Sequence, residues 1–345
     1  MKYGYNFYQS QLRKDVNSSV FAKPCFEVLY DNVSYQVICK DKKILGITIV
    51  WYQVLGVHAQ IDAAWLEGMK QATLTQAKGY YKDRRLLISL YIQFGFTTPL
   101  AYYDVTNYKI TPLKQDQEVA FAAQMQADML LGYGLVPSSK HNLPDATVVF
   151  ATGSTKEMLW TDISKNTKEK IKKAERELAN KLISCDLTSH VSDYNSFYEL
   201  YAHTGKNKGF GAVGKRQRNK LTAHALEHGY GKLFVVRSGD RVVSGAFCIE
   251  DEDVLIYLYG GNDRSVGNKG YSQLLHWRIM QYAHEKGLKR YDMLGASRAG
   301  STQDRLAQVT QFKMGFGGYK MEYLGSFDLI LHRAATWIYR LVASK

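Results

Sequence analysis

The sequence predicts an α+β protein built as two domains, and three observations carry that expectation. At 345 residues the chain exceeds what a single hydrophobic core usually organises. Its first part reads as short β segments joined by turns and interrupted by two helical stretches. Its later part, Leu255 to Gly318, reads as strand, glycine-bearing loop, amphipathic helix and second strand, a βαβ-like unit whose glycine break leaves a cleft that a ligand can approach closely.

Taken in order, Phe26 to Leu29 and Tyr35 to Cys39 carry strand composition, Asp41-Lys42-Lys43 a turn, and Ile44 to Trp51 a hydrophobic return strand. Helical character appears from Trp65 to Lys78, and a β-like run from Leu86 to Phe94. Gln115 to Leu131 is the next helix, ended by Gly132, Gly134 and Pro137. Asp145 to Phe150 is a strand. Ser154-Thr155-Lys156-Glu157 is a helix cap, and Asp162 to Arg176 is a helix with Ile163, Ile171, Ala174 and Leu178 turned inward and a lysine-dense outer face. A solvated face and a phosphate-contacting face both account for those lysines.

Phe197 to His203 is amphipathic. A second basic stretch follows, Lys206 to Phe210 and Lys215 to Lys220. Leu233 to Arg237, the turn Ser238-Gly239-Asp240 and Val242 to Ile249 form a hairpin. The strand Leu255 to Tyr259 ends at Gly260-Gly261. Beyond the loop Arg264 to Gly270, apolar residues from Tyr271 to Ala283 recur at helical spacing up to the stop at Gly287. Tyr291 to Leu294 is the second strand, and Gln311 to Gly318 gathers aromatics and glycines around one lysine.

Composition narrows the function classes. The net charge of +13 favours a polyanionic partner, whether nucleic acid, anionic membrane or phosphorylated substrate, with plain solubility as the alternative. No apolar run approaches the roughly 20 residues that cross a bilayer, and Met1 to Tyr5 holds no apolar signal core, so a cytoplasmic protein is expected. Cys25, Cys39, Cys185 and Cys248 show no metal-like pairing and are expected to be reduced thiols. No serine elbow occurs, and none of the nine histidines is expected to form a metal-ligand pair at helical spacing, so neither metal nor cofactor is expected. That absence fits a transfer reaction run by positioning and charge stabilisation.

Three groups are candidates for chemistry. Arg264 and the glycines of its loop, between a strand and a helix N-terminus, suit an anion, and a plain connection reads equally well. Lys313 between Phe312 and Phe316 can steady an oxyanion or a phosphate; a structural lysine in a turn is the other reading. Tyr257 and Tyr259 alternate about Leu258, which places both hydroxyls on one face of a strand, with core tyrosines as the competing reading.

Together these residues resemble a known family. Asp145 to Phe150, Glu157 to Trp160, Lys165 to Lys168 and Ile171 to Glu175, then Tyr257 to Gly261, Leu274 to Trp277, Tyr282-Ala283, Gly287, Tyr291-Asp292, Gly295, Phe312-Lys313 and Phe316 to Gly318 resemble the Fem peptidyltransferases over roughly residues 145 to 330. The resemblance implies two GNAT-like domains, one of residues 1–144 with the returning segment 320–345 and one of residues 145–319. The short span from Ala174 to Phe197 implies no long coiled-coil arm. It implies transfer of an amino acid from aminoacyl-tRNA to the stem-peptide amine of a UDP-linked or lipid-linked peptidoglycan precursor. Other implied features are peripheral contact with the inner membrane surface and a monomer. Catalysis would fall to Lys313 beside Phe312. Substrate binding would fall to Tyr257, Tyr259, Arg264, Lys208, Arg216, Lys168 and Lys172. Lys168 and Lys172 stand where that family commonly has arginines, and residues 1–140 match it poorly. Two other readings remain: an acyl-CoA N-acyltransferase using the loop at Arg264 to Gly270, and a non-catalytic module binding RNA or an anionic surface.

Overall fold

The computed structural model describes residues 10–17, 25–30, 33–44, 46–57, 61–82, 86–113, 116–139, 143–188, 191–208, 215–267, 269–299 and 306–343. In chain order the elements are α1 (Gln11–Asp15), β1 (Cys25–Tyr30), β2 (Val33–Ile44), β3 (Ile47–Val57), α2 (Ala63–Tyr80), β4 (Leu87–Thr106), β5 (Lys109–Pro112), α3 (Asp116–Gly132), β6 (Val136–Pro137) and β7 (Ala146–Ala151). They continue with α4 (Lys156–Asp162), α5 (Lys165–Ala179), β8 (Ser184–Thr188), α6 (Val191–Lys208), α7 (Lys215–Glu227), β9 (Gly231–Ser238), β10 (Arg241–Asp251) and β11 (Val254–Asn262). After a 3-10 turn over Arg264–Val266 come α8 (Tyr271–Glu285), β12 (Arg290–Asp292), α9 (Ala307–Met314), β13 (Tyr319–Ile330) and α10 (Arg333–Ala343).

The chain divides into two compact units: Met1–Ala101, Lys114–Asp145 and Tyr323–Lys345 form the first, and Tyr102–Leu113 with Ala146–Glu322 the second. In the first unit β1, β2 and β3 run antiparallel, and β4 joins β3 in parallel. Helix α2 starts where the Asp62 carboxylate accepts the Trp65 N–H at 2.7 Å. Its buried residues Trp65, Leu66, Met69, Thr73 and Ala77 fall at helical spacing. The apolar ones pack in one cluster with Tyr52, Val54, Phe94 and Phe96. Each large side chain fully buried there is worth about 1.5–3 kcal/mol. The Lys42-Lys43 pair lies inside β2 and not in a turn: the strand reaches Ile44, and the reversal comes at Gly46, whose φ of 82° suits only glycine.

The second unit holds the strand order β13-β7-β12-β11-β10-β9-β8, and β5 folds back on the end of β4. All neighbours are antiparallel except β11 and β12, which are parallel and joined by the crossover helix α8. The βαβ-like unit expected from Leu255 onward is therefore present. The helix expected from Asp162 is interrupted: α4 ends at Asp162, and Ser164 starts α5 by accepting the Thr167 N–H at 3.4 Å. One face of the strands carries α8, whose Leu274, Leu275, Ile279 and Ala283 meet Ala246, Cys248, Leu255 and Tyr291. On the other face α6 lies close, because Gly245 leaves room for the Phe197 ring.

Gly318, with φ of 78°, opens β13, and a methyl group there would stand 2.5 Å from the carbonyl oxygen of Val149 and 2.7 Å from the Phe150 ring. Both partners are fixed, one as backbone and the other as a core ring. Gly318→Ala is expected to destabilise the protein by at least about 2 kcal/mol. Denaturant titration would measure it, and an unchanged midpoint would refute this account of the strand start.

Candidate functional site

Strands β11 and β12 pair only over Val254 to Ile256 and Arg290 to Asp292. Beyond these residues they part. On β11 the pairing register slips: Tyr257 faces Cys248 while Tyr259 faces Phe247, so Leu258 is the extra residue of a bulge. On β12 the chain turns away at Leu294 and Gly295, with φ of 45° and 40°. The strand therefore stops at Asp292, two residues before the expected Leu294. At the carboxyl ends of the parallel pair lies a cavity of about 770 Å³, lined among others by Tyr201, Tyr257, Tyr259, Arg264, Tyr271 and Lys313. Ligands of open α/β sheets bind at such a parting of strands.

The bulge overturns the expectation that both tyrosines face one side. Tyr257 turns toward α8 and α9, edge-on to His276 with ring centres 4.9 Å apart and with the Lys313 ammonium 6.0 Å from its ring. Tyr259 turns toward α6, stacked on Phe197 and Phe247, its hydroxyl hydrogen-bonded to that of Thr222. Both still line the cavity.

Lys313 lies in the last turn of α9, not in the turn that its glycine neighbours suggest. It is 4% exposed, and its Nζ donates to the carbonyls of Met293 at 2.8 Å, of Leu294, and of Gly295 at 2.6 Å. These are the three residues of the β12 exit. Asp292 holds the same turn from its other side: its carboxylate accepts the Leu294 N–H at 2.8 Å and the Thr147 hydroxyl. Burial raises the Asp292 pKa, partly countered by the Thr147 and Leu294 hydrogen bonds. Phe312 lines the cavity beside Lys313 and packs edge-on against His276.

At the opposite wall the loop Arg264 to Gly270 delivers the N-terminus of α8. Its N-cap is Gly270, at φ of 82° and with no side-chain cap. A side chain at 270 would collide with the Lys170 carbonyl of α5, so glycine lets the loop close on that helix. Tyr271 donates to Glu177 at 2.6 Å and Lys269 pairs with it at 3.1 Å, which lowers the Glu177 pKa, chiefly through the Tyr271 bond, and ties the loop down. Arg264 stands exposed at the rim. An uncapped helix start beside basic side chains is an anion-binding arrangement.

Of the other basic residues singled out by sequence, Lys168 and Lys172 are not among those that line this cavity. Lys168 donates to the Thr161 carbonyl at 3.0 Å and lies 5.9 Å from the Trp160 ring, and Lys172 is exposed on α5. The side chains of Lys208 and Arg216 lie outside the described residues. Sequence reading missed Tyr201, Gln308 and Lys269 on the cavity wall, and His276 behind it. Gln308 stands one turn before Phe312 on α9, a spacing that would have revealed it. The histidine survey also needs correcting: His224 and His228 are four apart on and just beyond α7, and their rings stack at 3.9 Å. Among the described residues no group of three or more His, Cys, Asp or Glu side chains is placed to hold a metal ion.

Residues 165–313 match the family described as acetyltransferase (GNAT) domain. The structure is similar to a crystal structure of FemX, with TM-score 0.67 and 16% identity over 98% of this chain and 94% of that one. It is also similar to that of a conserved protein of unknown function from Bacteroides thetaiotaomicron, with TM-score 0.50 and 12% identity over 95% and 92%. The fold is thus that of the GNAT class. Within it the chain is Fem-like: it is 26% identical over 149 residues to the aminoacyltransferase FemA of Staphylococcus epidermidis, covering 43% of this chain and 36% of that protein. It is 25% identical over 134 residues to FemA of Staphylococcus aureus strain MW2, covering 35% and 32%. The matched stretch spans about a third of those relatives' length.

His276 yields a pH prediction. It is buried, its Nδ1 is 2.8 Å from the Tyr291 hydroxyl, and burial, then the Lys313 charge, depress its pKa to about 3. The unfolded chain takes up a proton near pH 6.5 that the folded protein refuses until about 3. This group's contribution to stability therefore falls as pH drops below 6.5, by up to about 1.4 kcal/mol per pH unit. His276→Gln should show a shallower loss between pH 6 and 4 than the unsubstituted protein in paired thermal melts. Parallel curves would show that the imidazole is not held neutral.

Proposed function

We propose that the protein is an aminoacyltransferase of Fem type, moving an amino acid from aminoacyl-tRNA to the stem-peptide amine of a peptidoglycan precursor. The observation that carries this reading is the cavity that an uncapped helix start, several aromatic rings and a buried ammonium line together. The likeness of residues 165–313 to acyltransferases supports it.

In this reading the acceptor amine attacks the ester carbonyl of the charged tRNA. The new C–N bond forms, the ester C–O bond breaks, the amine loses a proton and the tRNA hydroxyl regains one. Tyr257, Tyr259 and Tyr201 offer flat surfaces for the donor's terminal base or the acceptor's peptide. The α8 start and Arg264 take a phosphate. Lys313 stabilises the developing oxyanion through its charge, at a distance: its three protons are already directed at carbonyls. Tyr257 is half-buried, and desolvation of its phenol pushes the pKa up, so it acts as a neutral phenol. The lysines of α5, with Lys208 and Arg216, would hold tRNA or precursor phosphates.

Lys313→Ala is expected to lower transfer from charged tRNA to precursor at least about a hundredfold in protein shown to be folded by circular dichroism. Unchanged transfer would remove Lys313 from the mechanism. The same α8 start also suits a pyrophosphate, which favours acyl-CoA as the second reading. Thermal shift separates the two donors: at about a hundred times its Kd a ligand adds about 2.7 kcal/mol. A shift with charged tRNA and none with CoA is expected, and the reverse would overturn the assignment. A shift with charged tRNA but no product with any precursor would point to a non-catalytic RNA-binding module.

A further inference from the structure

Among the described residues, helix α10 is held within the first unit by one face. The Thr336 hydroxyl donates to the Leu90 carbonyl at 3.0 Å, the same carbonyl accepts the N–H groups of Leu331 and His332, and the Tyr339 ring lies 5.0 Å from Trp51. The opposite face presents Trp337, 65% exposed, and Ile338, 56% exposed, beside Ala334 and Arg333, which are also exposed. Folding leaves these large apolar side chains in water, although the helix is already anchored without them. An indole and a branched aliphatic chain side by side on one helix face are what an interfacial helix offers to a bilayer surface.

The sequence around this helix carries charge of one sign. From His332 to Lys345 the sequence contains Arg333, Arg340 and Lys345 and no acidic residue. Lys40 is directly opposite Trp51 across the β2–β3 pair and Lys42 opposite Ile49, so both stand on the side of the sheet that Trp51 shares with α10, and both are exposed. We propose that α10 is an in-plane anchor that seats the protein on an anionic lipid surface, Trp337 and Ile338 entering the headgroup boundary while Arg333, Lys40 and Lys42 face lipid phosphates. A second copy fits less well, because an isologous contact would set these cations against their own images. RNA fits less well because Ile338 offers no stacking surface. Among the described residues no helix is long and apolar enough to cross a membrane. This inference is independent of which donor the cavity takes.

The test is co-sedimentation of the full chain with vesicles of phosphatidylglycerol and phosphatidylcholine, against vesicles of phosphatidylcholine alone, with light scattering of the lipid-free protein. Binding to the anionic vesicles is expected, at least tenfold weaker on neutral ones. The Trp337→Ser, Ile338→Ser double variant should lose at least tenfold on anionic vesicles while keeping its thermal midpoint. Lys40→Glu with Lys42→Glu, which leaves α10 untouched, should weaken anionic binding by a similar factor and supplies an independent arm if the helix variant unfolds. Equal binding to both vesicle types, unchanged binding by either variant, or a solution dimer that the helix variant dissolves would each overturn the proposal.

Discussion

Three backbone carbonyls converge on one ammonium group, and the candidate site depends on that convergence. The Lys313 side chain reaches from α9 to Met293, Leu294 and Gly295, the residues by which the chain leaves β12. Leu294 is in the left-handed region, which costs a residue with a side chain about 1–2 kcal/mol. The cost is offset from both sides, since the ammonium takes the carbonyls and the Asp292 carboxylate takes the Leu294 N–H. A lysine suits this better than an arginine would. Its three donors diverge from one point, as three carbonyls on a tight curl require, whereas a planar fork matches flat, paired acceptors. Because the curl is fixed, β12 cannot follow β11, and the cavity opens between them.

The bulge at Leu258 completes the separation from the other strand. By slipping the register it sends Tyr257 toward the lysine and Tyr259 toward α6, so two residues alike in sequence acquire different surroundings. Tyr257 joins a set with the buried His276 and the half-buried Phe312, in which loss of water keeps both phenol and imidazole uncharged near neutral pH. Lys313 is then the charged member of that set. A positive charge in such surroundings is felt over a longer range than the same charge in water.

Much of this was legible before any coordinates. Periodicity located α8 and the strands on either side of it, because a helix of strict amphipathic spacing bounded by glycines has few other readings. The Phe312-Lys313 pair and the Gly-Gly break at 260–261 marked the site for the same reason, being residue types with narrow conformational uses. What stayed hidden was set by long-range partners. No local pattern distinguishes a strand whose residues alternate regularly from one with a bulge, so the two tyrosines were placed together. The lysine's setting in a helix was masked by the glycines that follow it, since Gly315 sits at the C-cap and not within a loop. Lys42 and Lys43 suggested a turn on composition, yet pairing with β3 carries β2 through them.

Charge is divided in this protein between two tasks that the total of +13 conceals. Two buried cations are locally balanced: Lys313 by carbonyls, and Lys320, 2% exposed, by Glu322 at 2.7 Å, whose carboxylate also accepts the Ala299 N–H. These two lysines fix the ends of the segment leaving β12, one near Met293 and one near Ala299, and a buried ion pair of this kind serves geometry more than net stability. At the cavity itself Lys269 is paired with Glu177. The unbalanced charge therefore lies mainly on the surface, where salt screens it and where it can gather a polyanion without dictating its pose. In the proposed reaction, orientation of a bound group would fall instead to fixed dipoles, the α8 start and the polar ring edges, which ionic strength barely touches. Attraction and positioning are in this way assigned to different parts of the molecule, and the glycines at 260, 261 and 270 allow backbone to approach closely enough for the second.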